Sequence, residues 1–222
     1  MTDFSAARVN MIESQVRPNG ITDHRIIAAM AALAREDFVP ASRRAVAYMD
    51  GDVPLSETGQ GRSGRYLIEA MAFARLVHLA AIRAEDRILH IGAATGYGSA
   101  VLARLGAAVV ALESDAGLVA QARQRLAGLG HVTVAEGALA DGWKQGAPFD
   151  VILVEGRIAE VPAALLAQLA DGGRLVAVVG ETEVAKAQVI TVSGKTAAVR
   201  SAFDATVAAL PGFAKKKAAF VF

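Results

Sequence analysis

The chain contains no cysteine among its 222 residues. That excludes a disulfide framework, zinc–thiolate and iron–sulfur sites, and a cysteine nucleophile. A reducing cytoplasm suits such a chain and is the expected location. Excess charge of either sign is also missing: 23 Lys and Arg stand against 22 Asp and Glu, a formal net charge of +1. A nucleic-acid binder working through bulk charge is not expected, nor is an acidic, solvated chain. No apolar run approaches the roughly 18–20 residues of a membrane span. The opening MTDFSAARVNMIESQVRP scatters its charges and has no signal-peptide core. The expectation is therefore a protein that neither spans membranes nor docks on nucleic acid. Proline is scarce, with 6 residues, while 54% of the chain is hydrophobic. A chain of this size buries about 70% of the surface its unfolded form exposes, enough to fold without a staple. One domain over 1–222 is expected. Its parts are a helical N-terminal part, 1–80, with a loop at 49–65, and an α/β core, 81–222.

What is present falls into two halves. Phe4, Ala7, Met11, Ile12 and Val16 recur at helical spacing over 3–17, and Pro18-Asn19-Gly20 ends that helix. Thr22 or Asp23 can cap a second helix, Asp23–Leu33, and a short helix over 41–48 follows. Met49–Arg65 carries Gly51, Pro54, Gly59, Gly61 and Gly64 with neither period. It reads as a long loop of the kind that carries function. Tyr66–Leu79 returns to a helical pattern. The N-terminal helices can pack on the sheet or on a second chain, so the oligomeric state stays open.

From residue 87 onward short apolar runs alternate with helical ones. The strands are Arg87–Gly92, Ala108–Leu112, Val132–Val134, Phe149–Val154 and Arg174–Val179. The helices are Ser99–Leu105, Ala116–Leu129 and Pro162–Leu169. This alternation predicts an α/β fold: a Rossmann-like parallel sheet with helices on both faces. Val189–Val192, Ala197–Ser201 and Ala218–Phe222 read as antiparallel edge strands. Lys215-Lys216-Lys217 reads as a solvated guard on that edge. No His/Asp/Glu set has metal-ligand spacing, and no Gly-x-Ser-x-Gly elbow exists.

The first strand runs into His90-Ile91-Gly92-Ala93-Ala94-Thr95-Gly96-Tyr97-Gly98, and the second ends at Glu113. Small residues let backbone approach a ligand, and an acid about 20 residues past such a turn accepts ribose hydroxyls. Together they point to an adenosine-containing ligand, with a tight turn and a solvated glutamate as the bland alternative. A dinucleotide fingerprint would place glycines first, third and sixth. Here Ala94 and Tyr97 hold the third and sixth places. The spacing suits S-adenosylmethionine (SAM), which has no pyrophosphate to cradle. A nicotinamide dehydrogenase is the more distant reading.

These residues resemble the protein-L-isoaspartate (D-aspartate) O-methyltransferases, whose SAM turn runs Glu-Ile-Gly-Thr-Gly-Ser-Gly-Tyr. Further matches are Phe38-Val39-Pro40, Ala47-Tyr48-x-Asp50, Pro54-Leu55, Leu129-Gly130, Gly142-Trp143 and Pro148-Phe149-Asp150. Val161-Pro162-Ala163-Ala164-Leu165 and Gly172-Gly173-Arg174-Leu175-Val176 also match. The resemblance covers residues 1–180 and weakens in the tail. The family's active-site signature, Gly-Gln-Thr-Ile-Ser-Gln-Pro-Tyr, falls on Gly59-Gln60-Gly61-Arg62-Ser63-Gly64-Arg65-Tyr66. It implies Ser63 as the active-site serine. Three other places depart from the family. His90 replaces the acid that opens the turn. Ala138 replaces the Asp of Gly-Asp-Gly, and Glu155-Gly156-Arg157 replaces Thr-Ala-Ala.

The resemblance implies SAM-dependent methylation of the free carboxylate of L-isoaspartyl residues in damaged proteins, whose peptides would be the partners. The reaction is a displacement at the sulfonium methyl. An ionised carboxylate of pKa near 4 needs no general base, only positioning and exclusion of water. Ser63 is the candidate to orient the carboxylate. His90, Gly92, Ala94, Gly96, Tyr97, Glu113, Gly137 and Ala138 are candidates for the cofactor, with His90 either a replacement ligand or structural. Gln60, Arg62, Arg65, Tyr66, Glu155 and Arg157 are candidates for the substrate, since guanidinium clamps carboxylates. A different methyl acceptor, and a relative that binds without turnover, are the alternatives that the rewritten loop leaves open.

Overall fold

The computed structural model describes residues 3–56 and 64–213. The candidates Gln60, Arg62 and Ser63 lie outside these residues, as do the lysine run and the expected last strand, Ala218–Phe222. Helix α1, Phe4–Met11, starts where the Asp3 carboxylate accepts the N–H groups of Ser5 and Ala6. It widens into a π-helical turn, Ile12–Val16, then tightens through Arg17–Asn19 and stops at Gly20 (φ +80°). Helix α2, His24–Ala31, is capped by Asp23. The expected helix over 41–48 is a 3-10 run, Ala41–Val46.

The long loop contains one ordered device. Strands β1, Val53–Pro54, and β2, Tyr66–Leu67, form a two-stranded antiparallel ribbon in which Pro54 faces Tyr66. Helix α3 accordingly begins later than its periodicity predicts, spanning Ala70–Ala80. The side chain of Asp52 fixes that start by accepting the Glu69 N–H at 2.8 Å.

Strands β3 (Arg87–Ile91), β4 (Ala108–Glu113), β5 (Val132–Glu136), β6 (Phe149–Ile158) and β7 (Leu169–Val179) are parallel. Strands β8 (Val184–Ser193) and β9 (Thr196–Thr206) close the edge antiparallel. The order is β5-β4-β3-β6-β7-β8-β9. The chain steps outward from β3 through helices α4 (Tyr97–Leu102) and α5 (Ala116–Leu126), then crosses back to β6. Right-handed crossovers running one way put α4 and α5 on the face that α1–α3 also cover. The reverse direction puts α6, Ala163–Leu166, on the other. That second face is completed by turns and the C-terminal segment, through Leu139, Trp143, Leu210 and Phe213. Alternation along β3 divides the core: Ile88 points to the helical face, Leu89 and Ile91 to the other. Between β3 and β6 the sheet changes its direction of growth. Open α/β sheets bind ligands at the carboxyl ends of the strands there.

Candidate functional site

Five residues form the turn after β3. Gly92 (φ +81°), Ala94 (φ +51°) and Gly96 (φ +99°) all take left-handed backbone. Gly96 needs it, since a β-carbon there would stand 2.9 Å from Leu126. Ala94 takes the same region with its methyl group, at a cost of about 1 kcal/mol. The turn's N–H groups point inward. Gly92 and Ala93 donate to the Leu112 carbonyl at 3.0 and 3.1 Å, and Ala94 donates to Glu113 Oε2 at 2.8 Å.

Glu113 ends β4 and is completely buried. Oε1 accepts from the backbone N–H of Ser114 (2.7 Å) and Asp115 (3.1 Å). Arg65 completes the set: Nη1 donates to Oε1 at 2.8 Å and Nη2 to Oε2 at 2.6 Å. Nη2 also donates to the Gly92 carbonyl at 3.2 Å. The Arg65 side chain is 5% exposed. A buried carboxylate is stabilised by charge and by hydrogen bonds, and Arg65 adds a cation and two donors to the three backbone N–H groups. The guanidinium expected to face a substrate carboxylate therefore faces the chain's own. Gly137 and Ala138 lie beside this strand end, with Gly137 N–H donating to the Glu113 carbonyl.

On the other side of the turn, His90 Nδ1 is 2.8 Å from Ser99 Oγ, and His90 Nε2 is 2.9 Å from Glu155 Oε2. All three side chains are buried. Their space comes from Gly98, where a β-carbon would lie 2.1 Å from Glu155 Oε2 and 2.7 Å from His90 Cε1. The structure thus joins one cofactor candidate, His90, to one substrate candidate, Glu155, in a closed polar pair. Tyr97 lies in the core. Phe38 meets it edge-on at 5.5 Å, and the Arg35 guanidinium lies 5.0 Å from its ring centroid. Burial raises the pKa of its phenol above the ordinary value.

Tyr66 and Arg157 meet around a cleft of about 360 Å³, with Asp52, Gly64, Glu183 and Thr206–Ala209. Arg157 extends from β6 and donates to the Gly180 and Glu181 carbonyls. Asp52 was missed in the sequence, where it looks like one more loop acid. Its two oxygens accept from Glu69 N–H and Ala208 N–H, pinning α3 to the C-terminal segment. Desolvation by burial raises its pKa. Leu210 was missed as well. Its N–H donates to the Arg157 carbonyl, and its side chain covers Gly92 and Gly156. Glycine at 92 and at 156, where φ reaches +145°, was the available signal for such a close approach. A second cleft, of about 180 Å³, lies against Arg65. Leu55, Ser56, Asp115, Gly117, Leu118 and Gln121 line it. Among the described residues no group of three His, Asp or Glu side chains is placed to hold a metal ion. No helix there is long and apolar enough to cross a membrane.

A left-handed glycine turn after β3 and a buried acid at the end of the next strand stand at the carboxyl edge of the sheet and define an α/β domain of Rossmann-like build. The family model for protein-L-isoaspartate(D-aspartate) O-methyltransferase matches residues 7–211. A protein-L-isoaspartate O-methyltransferase of Methylorubrum populi is 45% identical over 183 residues, 81% of this chain and 82% of that one. The Koribacter versatilis protein of the same name is 40% identical over 185 residues, 82% of this chain and 81% of its own. Among solved structures, a protein-L-isoaspartate O-methyltransferase superposes with TM-score 0.79 at 22% identity, over 93% of this chain and 67% of that one. A Plasmodium falciparum structure titled as a putative enzyme of this kind in complex with S-adenosyl-L-homocysteine superposes with TM-score 0.73 at 17% identity. That match covers 96% of this chain and all of that one. These two likenesses establish the fold. The chain belongs to the protein-L-isoaspartate(D-aspartate) O-methyltransferase family.

Proposed function

We propose that this chain transfers the methyl group of SAM to the free carboxylate of L-isoaspartyl residues in damaged proteins. Membership of a SAM-dependent methyltransferase family supports the activity. The observation that carries the site is the meeting of a buried acid and a left-handed glycine turn at the carboxyl ends of β3 and β4, with the cleft lined by Arg65 and Asp115 beside them. The chain's residues fit the nucleoside half of SAM. Glu113 has the position and chemistry to accept a ribose diol once Arg65 gives way, while Gly92 and Gly96 make room for the chain's own Leu210 and Leu126 against the turn. Ala138 offers no side-chain acceptor to an adenine amino group, so that contact falls to backbone.

Bound there, SAM supplies an electrophilic methyl group on a sulfonium. The acceptor is ionised at neutral pH and requires no general base. The chain's part is to hold that carboxylate in line with the methyl group and keep water away. We assign the cleft of Tyr66, Asp52 and Arg157 to the acceptor peptide, with Arg157 as its cationic wall. The resemblance to the family signature is the ground for giving Ser63 the carboxylate, and the chemistry of Gln60 and of Arg62, which replaces the signature's isoleucine, suits neighbouring contacts. With SAM bound, the carboxylate oxygen would take the methyl group from the sulfonium and S-adenosylhomocysteine would be released. The methyl ester would then cyclise to a succinimide with loss of methanol, and hydrolysis of the ring would give aspartate or return isoaspartate. A cytoplasmic setting and a single domain over 1–222 belong to the same proposal.

The test is transfer of labelled methyl from SAM to an isoaspartyl peptide, with the matching aspartyl peptide as control. Transfer to the isoaspartyl peptide alone is the expected result. Binding of SAM without transfer would move the acceptor to another nucleophile and overturn the isoaspartyl assignment. Ser63→Ala is expected to lower turnover with SAM affinity unchanged; equal turnover would remove Ser63 from the site.

A further inference from the structure

We propose that Arg65 is a built-in competitor of the cofactor: its guanidinium occupies the position of the ribose diol on Glu113, and nucleoside binding requires its displacement. This inference rests on the assignment of SAM to the turn. A guanidinium edge offers two parallel N–H donors to one carboxylate, and a vicinal diol offers two O–H donors to the same pair of oxygens. Arg65 presents that edge, one nitrogen to each oxygen, at 2.8 and 2.6 Å. A carboxylate has about four lone-pair sites. The backbone N–H groups of Ala94, Ser114 and Asp115 and the two N–H groups of Arg65 already supply five donors, with the Ser114 hydroxyl a sixth at 3.4 Å, so these sites are fully taken. A ribose therefore cannot add to Glu113; it can only exchange with Arg65.

Two features make the exchange feasible. Glu113 keeps three backbone donors when the guanidinium leaves, so it is not orphaned. The departing side chain has somewhere to go, because the cleft of about 180 Å³ borders Arg65 itself. The Asp115 carboxylate lines that cleft. So does Ser56, whose buried hydroxyl has no hydrogen-bond partner among the described residues. The cleft thus offers the guanidinium a new carboxylate and a new acceptor. Burial shields the Arg65–Glu113 pair from salt, so competition persists at physiological ionic strength. The apparent cofactor affinity is then the intrinsic affinity reduced by the fraction of molecules with the seat open.

Calorimetric titration of the full chain with S-adenosylhomocysteine tests this, using wild type, Arg65→Met and Arg65→Lys. Thermal melts verify that each variant is folded. Arg65→Met is expected to bind at least tenfold tighter than wild type, and Arg65→Lys, which keeps charge but loses the two-pronged edge, to fall between. Equal or weaker binding by both variants would overturn the competition while leaving the cofactor assignment standing. No binding by any of the three at millimolar concentration would overturn both. A second measurement needs no variant. In wild type, the Arg65 guanidinium NMR signals should move on saturation with S-adenosylhomocysteine; signals that stay put while the ligand binds would equally overturn the exchange.

Discussion

The carboxyl ends of β4 and β6 flank the same strand, β3, and they are built on opposite terms. At the end of β4 a carboxylate is fully buried, met by five N–H donors and sealed by an arginine. At the end of β6 the backbone opens into a cleft with a guanidinium, a phenol and two acids on its walls. The first is a dry site, where a lost partner leaves a charge with no water to take its place. The second is a wet one, where water replaces what is removed. Substitutions at the first should register in folding, and those at the second in substrate affinity. The difference also shows why one side of a site can look closed in a free protein while the other stands ready.

The sharpest attempt to break this contrast is Glu113→Ala. It strands a 5% exposed guanidinium and should lower the unfolding free energy by about 3–5 kcal/mol. A urea titration showing a loss below about 1 kcal/mol would mean that the pair does not hold the β4 end. Gly98→Ala comes next. Its methyl carbon would enter 2.1 Å from Glu155 Oε2. Overpacking of that kind should cost about 3 kcal/mol in calorimetry; a neutral result would show that the His90–Glu155 pair is free to shift. Arg157→Ala probes the open end. A lost charge-assisted hydrogen bond raises the KM for an isoaspartyl peptide about tenfold. The affinity for S-adenosylhomocysteine should stay unchanged, and a parallel loss of both would merge the two regions. Ala94→Gly should gain about 1 kcal/mol by relieving left-handed backbone; a loss would place the methyl group in a packing role.

A last prediction concerns pH, away from both strand ends. Desolvation, followed by its hydrogen bond to Glu36, pushes the Tyr48 phenol up to about 12 from 10.0. A raised folded pKa means that the native state holds its proton longer than the unfolded chain. Stability from Tyr48 is thus intact below pH 10 and lost as pH climbs from about 10 to 12. Tyr48→Phe should flatten that part of the stability profile, and an unchanged slope would assign it to other groups.

Much of the sheet was legible because buried parallel strands are short apolar runs, and Arg87–Ile91 and Ala108–Glu113 are such runs, while Val132–Val134 marked the edge strand beside them. Glu113 was legible as the acid that ends the second strand, but its burial and its arginine partner were not. Strand β6 was legible only to Val154, since Glu155 and Arg157 look like a strand's solvated end. Their burial depends on His90, from the neighbouring strand, and on Leu210, from the last segment. Likewise Leu169 looks like a helix end beside Leu165, yet it begins β7 because it pairs with Phe149. Arg65 was the least legible. A cation in a glycine-rich loop reads as surface, and its partner lies 48 positions away. Local pattern carries strands and caps, but it carries no information about which distant charges will meet in the dark.

His90, Gly98 and Glu155 also constrain which substitutions this chain can take singly. The family's turn opens with an acid at position 90, where this chain has histidine. Glu155 Oε2 sits 2.9 Å from the imidazole, out of contact with solvent. Two carboxylates at that separation in a dry pocket would repel, so an acid placed at 90 beside Glu155 would force one of the two to keep its proton. The residues at 90 and 155 are therefore coupled: each acid is accommodated at one position only while the other holds a partner for it.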